Sequence, residues 1–333
     1  MQPIPARFLT DFQGTNPQEK KPFFGDSSSI SRQWSDHTRV AVVNGDVLET
    51  LPSLPDGFAR LIISSPPYNI GKSYEKKQDL DAYIDWQTTV ISQIVRVLAP
   101  SGSLCWQVGN YVNNGEIFPL DVYLYPIFKK FGLSLRNRII WHFNHGLHAK
   151  KRFSGRYETL LWFTSGNDYL FHLDPVRVPA KYPGKTHYKG KKRGQPSGNP
   201  LGKNPSDFWS FLKTEWDDAV WDIPNVKSNH PEKTEHPCQF PIELVERCIL
   251  ALTNPDDWVL DPFCGAGSTH VAALKHHRKA IGIEQNPTYC AIAEQRIQKF
   301  YAGELKIRPL GKPIHTPSER EKTAQRPGGW TSE

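Results

Sequence analysis

The stretch Leu260-Asp261-Pro262-Phe263-Cys264-Gly265-Ala266-Gly267-Ser268-Thr269 most constrains how this chain can fold. Trp258-Val259-Leu260 reads as a short buried strand, and Ser268 to Leu274 as the start of a helix. Gly265 and Gly267 lie between them, where the backbone must turn tightly and can approach a ligand closely. A second strand, Ala280 to Ile283, follows the helix and ends at Glu284. That acid falls near the separation, on the order of 20 residues beyond the loop, at which a carboxylate accepts ribose hydroxyls.

Two cofactor classes could use this half-site. A nicotinamide or flavin dinucleotide wants a third glycine, so that pyrophosphate can reach the helix N-terminus. Here Ser268, Thr269 and His270 follow Gly267 instead. S-adenosyl-L-methionine has no phosphate and carries a cationic amine. Asp261 suits that amine, and Phe263 can face the adenosyl or sulfonium region. The residues favour S-adenosyl-L-methionine, with a dinucleotide as the alternative.

A second constellation lies early in the chain. The apolar run Leu61-Ile62-Ile63 reads as a strand and leads into Ser65-Pro66-Pro67-Tyr68. Two prolines fix two φ angles and remove two amide donors, and Ser65 before Pro66 is pushed toward an extended conformation. The loop therefore presents hydroxyl and carbonyl oxygens, closed by an aromatic ring. It suits a planar ligand with an amino group, such as a nucleobase amine. Taken alone, such a stretch is more often a proline turn with a packed tyrosine than a catalytic loop.

The rest of the chain alternates short strands and helices. Strands are expected at Val40 to Val43, Ser103 to Val108, Leu133 to Phe143 and Tyr157 to Phe163, the last two antiparallel and ending a sheet. Helices are expected at Asp81 to Leu98, at Phe118 to Phe131 with an interruption near Pro126, at Pro241 to Leu252, and at Pro287 to Phe300. This is an α/β layered fold with a mostly parallel sheet. Residues 1–37 read as a poorly ordered arm, 38–171 and 236–304 as two halves of one domain, 172–235 as an insertion, and 305–333 as a polar tail. The insertion is rich in Lys, Arg, Pro, Gly and Trp, and includes the run Lys189, Lys191, Lys192 and Arg193.

The net charge of +7 over 333 residues favours a polyanionic partner. No apolar run approaches a membrane span, and the N-terminus has no apolar core of a secretion signal. Five scattered cysteines argue against a disulfide framework or a structural zinc site and fit a reducing cytosol.

Taken jointly, the Ser-Pro-Pro-Tyr loop and the later Phe-x-Gly-x-Gly loop resemble the DNA amino-methyltransferases. The order, catalytic loop first, is similar to the permuted β group that includes the PvuII-type cytosine-N4 enzymes. The resemblance runs from about Val40 to Phe300. It implies a Rossmann-like class I methyltransferase fold with a target-recognition region in the 172–235 insertion. It makes Ser65, Pro66, Pro67 and Tyr68 catalytic. Asp46 becomes the adenine-reading acid, and His236, Gln239 and Pro241 become part of a cap over the methionine end. Arg156 to Trp162 resembles a segment supporting the target-base pocket.

The implied partner is double-stranded DNA, with a cognate restriction endonuclease encoded nearby as a functional partner. Ser at the first loop position resembles the cytosine-N4 branch; adenine-N6 is the alternative. The implied reaction flips the base and needs neither a covalent intermediate nor a strong general base. A catalytically silent DNA-binding module, and protein or RNA amine methylation, are the competing classes. Pro237-Cys238-Gln239 matches the nucleophile triplet of cytosine-C5 enzymes, but it precedes the glycine loop, so Cys238 reads as incidental. His142, His145 and His148 repeat every third residue and fit no metal motif.

Overall fold

The computed structural model describes residues 30–35, 37–72, 75, 77–143, 149–209, 226, 230–239 and 241–311. His145, His148, Trp216, Trp221 and Phe240, together with most of the leader and tail, lie outside the described residues.

The chain opens its sheet with β1 (Val40–Asn44), whose end is closed by α1 (Val47–Thr50). It then builds β2 (Ala59–Ser64), α2 (Leu80–Val97) and β3 (Leu98–Val108). Helix α2 starts because Asp79 caps it, accepting from the amide of Ala82 at 2.9 Å. Its buried residues Tyr83, Val90, Ile91, Ile94 and Val97 recur at helical spacing.

After β3 comes a hairpin of β4 (Asn110–Asn113) and β5 (Glu116–Pro119), then α3 (Leu120–Lys130). The helix expected from Phe118 therefore starts later. The signal for the hairpin was present in Asn114-Gly115, both at positive φ (49° and 85°) as a tight two-residue turn needs. Pro126 does not interrupt α3. The carbonyl one turn earlier belongs to Val122, which is exposed, so water can replace the amide that proline lacks.

Strands β6 (Ser134–His142) and β7 (Tyr157–Thr164) pair antiparallel, as expected. They do not end the sheet. The insertion returns a two-residue strand, β8 (Phe208–Trp209), that pairs parallel with β6. The second half supplies α4 (Ile242–Leu252), β9 (Trp258–Asp261), α5 (Ser268–Lys275), β10 (Lys279–Glu284) and α6 (Pro287–Tyr301). Pro241 is the residue capping α4, just before the first turn.

Among the described residues the strands form an eight-stranded sheet, ordered β1-β10-β9-β2-β3-β7-β6-β8, in which β7 alone runs against the others. Helices α2 and α3 cover one face over Leu104, Trp106 and Phe163. Helices α4 and α5 cover the other over Leu61, Ile63 and Val259. From β9 the chain proceeds to β10 on one side, and from β2 to β3 on the other. The adjacent pair β9 and β2 is thus the switch point of the sheet, where α/β proteins bind ligands beyond the carboxyl ends of their strands.

Parts of the expected arm and tail are packed. Ser31 bridges Ala41 at the sheet edge, and Trp34 packs against Phe58. Arg308 is buried, pairs with Glu243, and donates its amide to Glu232 Oε1 at 3.1 Å. No helix among the described residues is long and apolar enough to cross a membrane.

Candidate active site

Above the carboxyl ends of the strands lies a cavity of about 290 Å³. Its walls bring together Ser65, Pro66, Pro67 and Tyr68 from the loop after β2, Phe263 and Gly265 from the loop after β9, and Glu284 from the end of β10. Asp46, His236 and Gln239, also among the expected residues, stand in the same walls. Asp261, Gly267 and Pro241 are not among the lining residues.

The loop from Ser65 to Tyr68 is held from behind. The Tyr83 hydroxyl donates to the Pro67 carbonyl at 2.8 Å, and Gln87 Nε2 donates to the Tyr83 oxygen at 3.0 Å. Gly109 makes room for the Tyr68 ring, since a Cβ there would sit 3.1 Å from it. Tyr68 donates its hydroxyl proton to Glu158 Oε2 at 3.1 Å. The 2.7 Å bond between Ser65 Oγ and Tyr68 Oη must then run from serine to tyrosine, because the phenol proton is already given. The Ser65 oxygen is left with lone pairs to accept. Gln107 Nε2 adds a second bond to Glu158 Oε2 at 2.6 Å. Burial raises the Glu158 carboxyl above its ordinary value, while the Gln107 and Tyr68 bonds oppose the rise.

Glu158 belonged to a segment read as supporting the pocket, but neither it nor Gln107 stood among the expected site residues. Their contacts with Tyr68 and with each other span 90 and 51 residues, so no local pattern marks them. Trp86 and Trp141 also line the cavity. Trp86 packs on Phe263 with ring centroids 5.6 Å apart.

On the cofactor side, Gly265 adopts φ +47°, and a Cβ there would come within 2.9 Å of His236 Nε2. His236 in turn meets the Tyr289 ring edge-on at 4.4 Å. Burial, then the charges of Lys233 and Arg296, push the His236 imidazole down to about 4, so it is neutral at neutral pH. Glu284 accepts from the Gly265 amide at 3.1 Å and the Asn286 amide at 2.8 Å. Its 19-residue separation from Gly265 matches the ribose-acceptor spacing. Asp46 caps α1 through the Leu48 amide at 2.8 Å.

Asp261 departs from its expected place facing a cofactor amine. It is fully buried and accepts from Ser64 Oγ and Thr269 Oγ1, each at 2.6 Å, and from the Phe263 amide at 3.2 Å. It fastens β2 to β9 and shapes the glycine loop. Gly267, at φ +73°, lies against Ala293 of α6 and serves helix packing. The Gln239 amide is spent within its own loop, donating to the Glu232 carbonyl and accepting from Thr234. Cys238 lines the cavity on this capping turn, with its amide 3.3 Å from His236 Nδ1.

The electrostatics separate the two cofactor classes. Asp46, Glu158 and Glu284 line the cavity, and among the described residues no lysine or arginine does. Such a wall suits a sulfonium and an amine and sets no cationic side chain against a pyrophosphate.

Lys189, Lys191, Lys192 and Arg193 lie away from the cavity on an exposed turn of the insertion. Its neck closes through His187 and Gln195 at 2.9 Å. Tyr182 and Tyr188 beside it are 67% and 89% exposed.

Residues 59–295 match the model of the N6_N4_Mtase family, described as DNA methylase. The chain is 48% identical over 255 residues to Type II methyltransferase M.BglII of Bacillus subtilis, covering 76% of this chain and 68% of that one. It is 34% identical over 264 residues to DNA adenine methyltransferase YhdJ of Escherichia coli (strain K12), covering 77% and 82%. Among solved structures it resembles TTHA0409, a putative DNA modification methylase of Thermus thermophilus complexed with S-adenosyl-L-methionine. There the TM-score is 0.53 at 26% identity, over 82% and 99% of the chains. The PvuII DNA methyltransferase (cytosine-N4-specific) shares the fold, with a TM-score of 0.58 at 22% identity over 79% and 92%.

Proposed function

The chain belongs to the N6_N4_Mtase family of DNA methylases and uses S-adenosyl-L-methionine, and from that premise we propose that its acceptor is the exocyclic N4 amine of a flipped cytosine in double-stranded DNA. The observation that carries this reading is the directed chain from Ser65 through Tyr68 to Glu158, in the same cavity as Gly265 and Glu284.

The cofactor, when bound, supplies a methyl group on a positively charged sulfur. Gly265, Phe263, Glu284, Asp46 and the His236 cap are the residues that hold it. The protein's own part is to prepare the amine. Tyr68 stacks on the flipped base. Ser65 Oγ and the Pro66 carbonyl accept its two N–H bonds, which draws the nitrogen lone pair out of the ring. The methylated amine is acidic, so a weak base suffices. Ser65 takes its proton while passing its own to Tyr68, and Tyr68 passes one to Glu158. The raised Glu158 carboxyl is matched to that receiving role. Positioning and electrostatics carry the remainder.

Ser65 offers a neutral hydroxyl where the adenine-N6 branch usually has Asp or Asn, and this supports cytosine. The similarity to YhdJ, named an adenine methyltransferase, supports N6 methylation by the same fold and mechanism as the second reading. The Type II name of M.BglII supports a role in restriction-modification beside a nearby endonuclease. The exposed turn at Lys189 to Arg193 is assigned to DNA phosphates.

Nucleoside mass spectrometry of DNA from cells expressing the protein tests the base, and modified-base sequencing maps the site. N4-methylcytosine is expected. N6-methyladenine without it would transfer the assignment to the second reading.

A further inference from the structure

The loop joining β6 to β7 carries a side chain that the chemistry above does not use. Trp141 and Glu158 face each other across these strands, and both line the cavity. The Phe143 amide then bonds the Arg156 carbonyl at 2.8 Å, so the loop springs from the cavity mouth. On it, Phe153 is 101% exposed, more than any other large apolar side chain described. It stands five residues before Glu158, which chain geometry limits to roughly 17 Å. Lys150, Lys151 and Arg152 precede it and are exposed, and no carboxylate pairs with them among the described residues. The Ala149 amide bonds Ser154 Oγ at 3.1 Å, which ties the turn across its base.

We propose that Phe153 is a wedge that enters the base stack where the target base leaves it, with Lys150, Lys151 and Arg152 on the flanking phosphates. The proposal rests on the reading that the protein methylates an extruded base. Extrusion unstacks the neighbours of the vacated step, and an apolar ring can fill that space without needing a hydrogen bond. Three consecutive cations next to the ring match the charge of the backbone it would cross. Phe153 is not part of the cavity wall, so it does not duplicate Tyr68.

The test uses the full chain and its Phe153→Ala and Phe153→Trp variants. The substrates are a duplex carrying the mapped site and the same duplex with an abasic residue opposite the target. Single-turnover methylation is the readout. Phe153→Ala should slow methylation of the intact duplex by roughly 10- to 100-fold, and Phe153→Trp should hold it within about threefold of the unaltered protein. The abasic partner, which lowers the cost of extrusion, should bring Phe153→Ala back to within about threefold. Equal slowing on both duplexes, or no slowing on the intact one, overturns the wedge. An unaltered protein that methylates neither duplex would instead overturn the underlying reading, and the wedge with it.

Discussion

At the scale of single residues, the site depends on which atom gives its proton to which. Ser65 can accept from a base amine because Tyr68 has committed its own proton to Glu158. Glu158→Gln replaces the receiving carboxylate with an amide. It should lower kcat roughly 10- to 100-fold while leaving cofactor affinity unchanged. Glu158 must be ionised to receive, and burial raises its carboxyl, so the native rate should rise with pH through a value above the ordinary carboxylate range. The variant's pH–rate profile should lack that acid limb; an unchanged limb would remove Glu158 from the reaction. Gly265→Ala tests the other wall. Its Cβ would press on His236 at 2.9 Å, and φ +47° is strained for alanine. Cofactor affinity should fall by roughly tenfold or more by calorimetry, since strain of this kind costs on the order of 1–3 kcal/mol. Ser65 to Tyr68 and Gly265 were legible from sequence because each motif fixes its own backbone locally. Asp261 was misplaced for the converse reason. A carboxylate beside a glycine loop looks like a ligand until a serine 197 residues away is seen to occupy it.

Among the elements, the seam between β2 and β9 decides whether the two loops face each other. Asp261 binds both strands and the start of α5, and burial pushes its carboxyl up to about 6. A folded-state value above the ordinary one near 4 means that the native protein holds the extra proton between those two pH values. The Asp261 contribution is therefore full below about pH 4 and is lost as pH rises through about 6. The stability of the native protein relative to Asp261→Asn should accordingly grow on acidification from pH 7 to pH 4, by on the order of 1–3 kcal/mol in denaturant titrations. A pH-independent difference would mean that the buried carboxyl titrates normally. Most elements were readable because apolar runs in parallel strands and 3.6-residue spacing in helices are local signals. The hairpin β4–β5 was hidden by the reading of Phe118 as helical, although Asn114-Gly115 announced a turn. Strand β8, two residues long, owes its place to pairing with β6 and has no periodicity to read.

For the whole molecule, the question is how a basic chain grips a polyanion with a cavity walled by acids. The two signs are segregated. Asp46, Glu158 and Glu284 line the cavity, while Lys189, Lys191, Lys192 and Arg193 stand on an outlying turn. Replacing Lys191, Lys192 and Arg193 with glutamine should weaken DNA binding and reduce the slope of log affinity against log salt by roughly 2–3, at about 0.9 for each phosphate no longer neutralised. Single-turnover methylation at saturating DNA should stay within about twofold, as the turn lies outside the cavity; an unaltered slope would make it a solvated loop. The interleaved order of the sheet has a further consequence. Strand β2 and its loop leave the ribosome about 200 residues before β9, yet both walls must be present to hold a base and a donor together. The two walls can therefore meet only after β9, which pairs with β2, and β10, which pairs with β9 and β1, have both been synthesised.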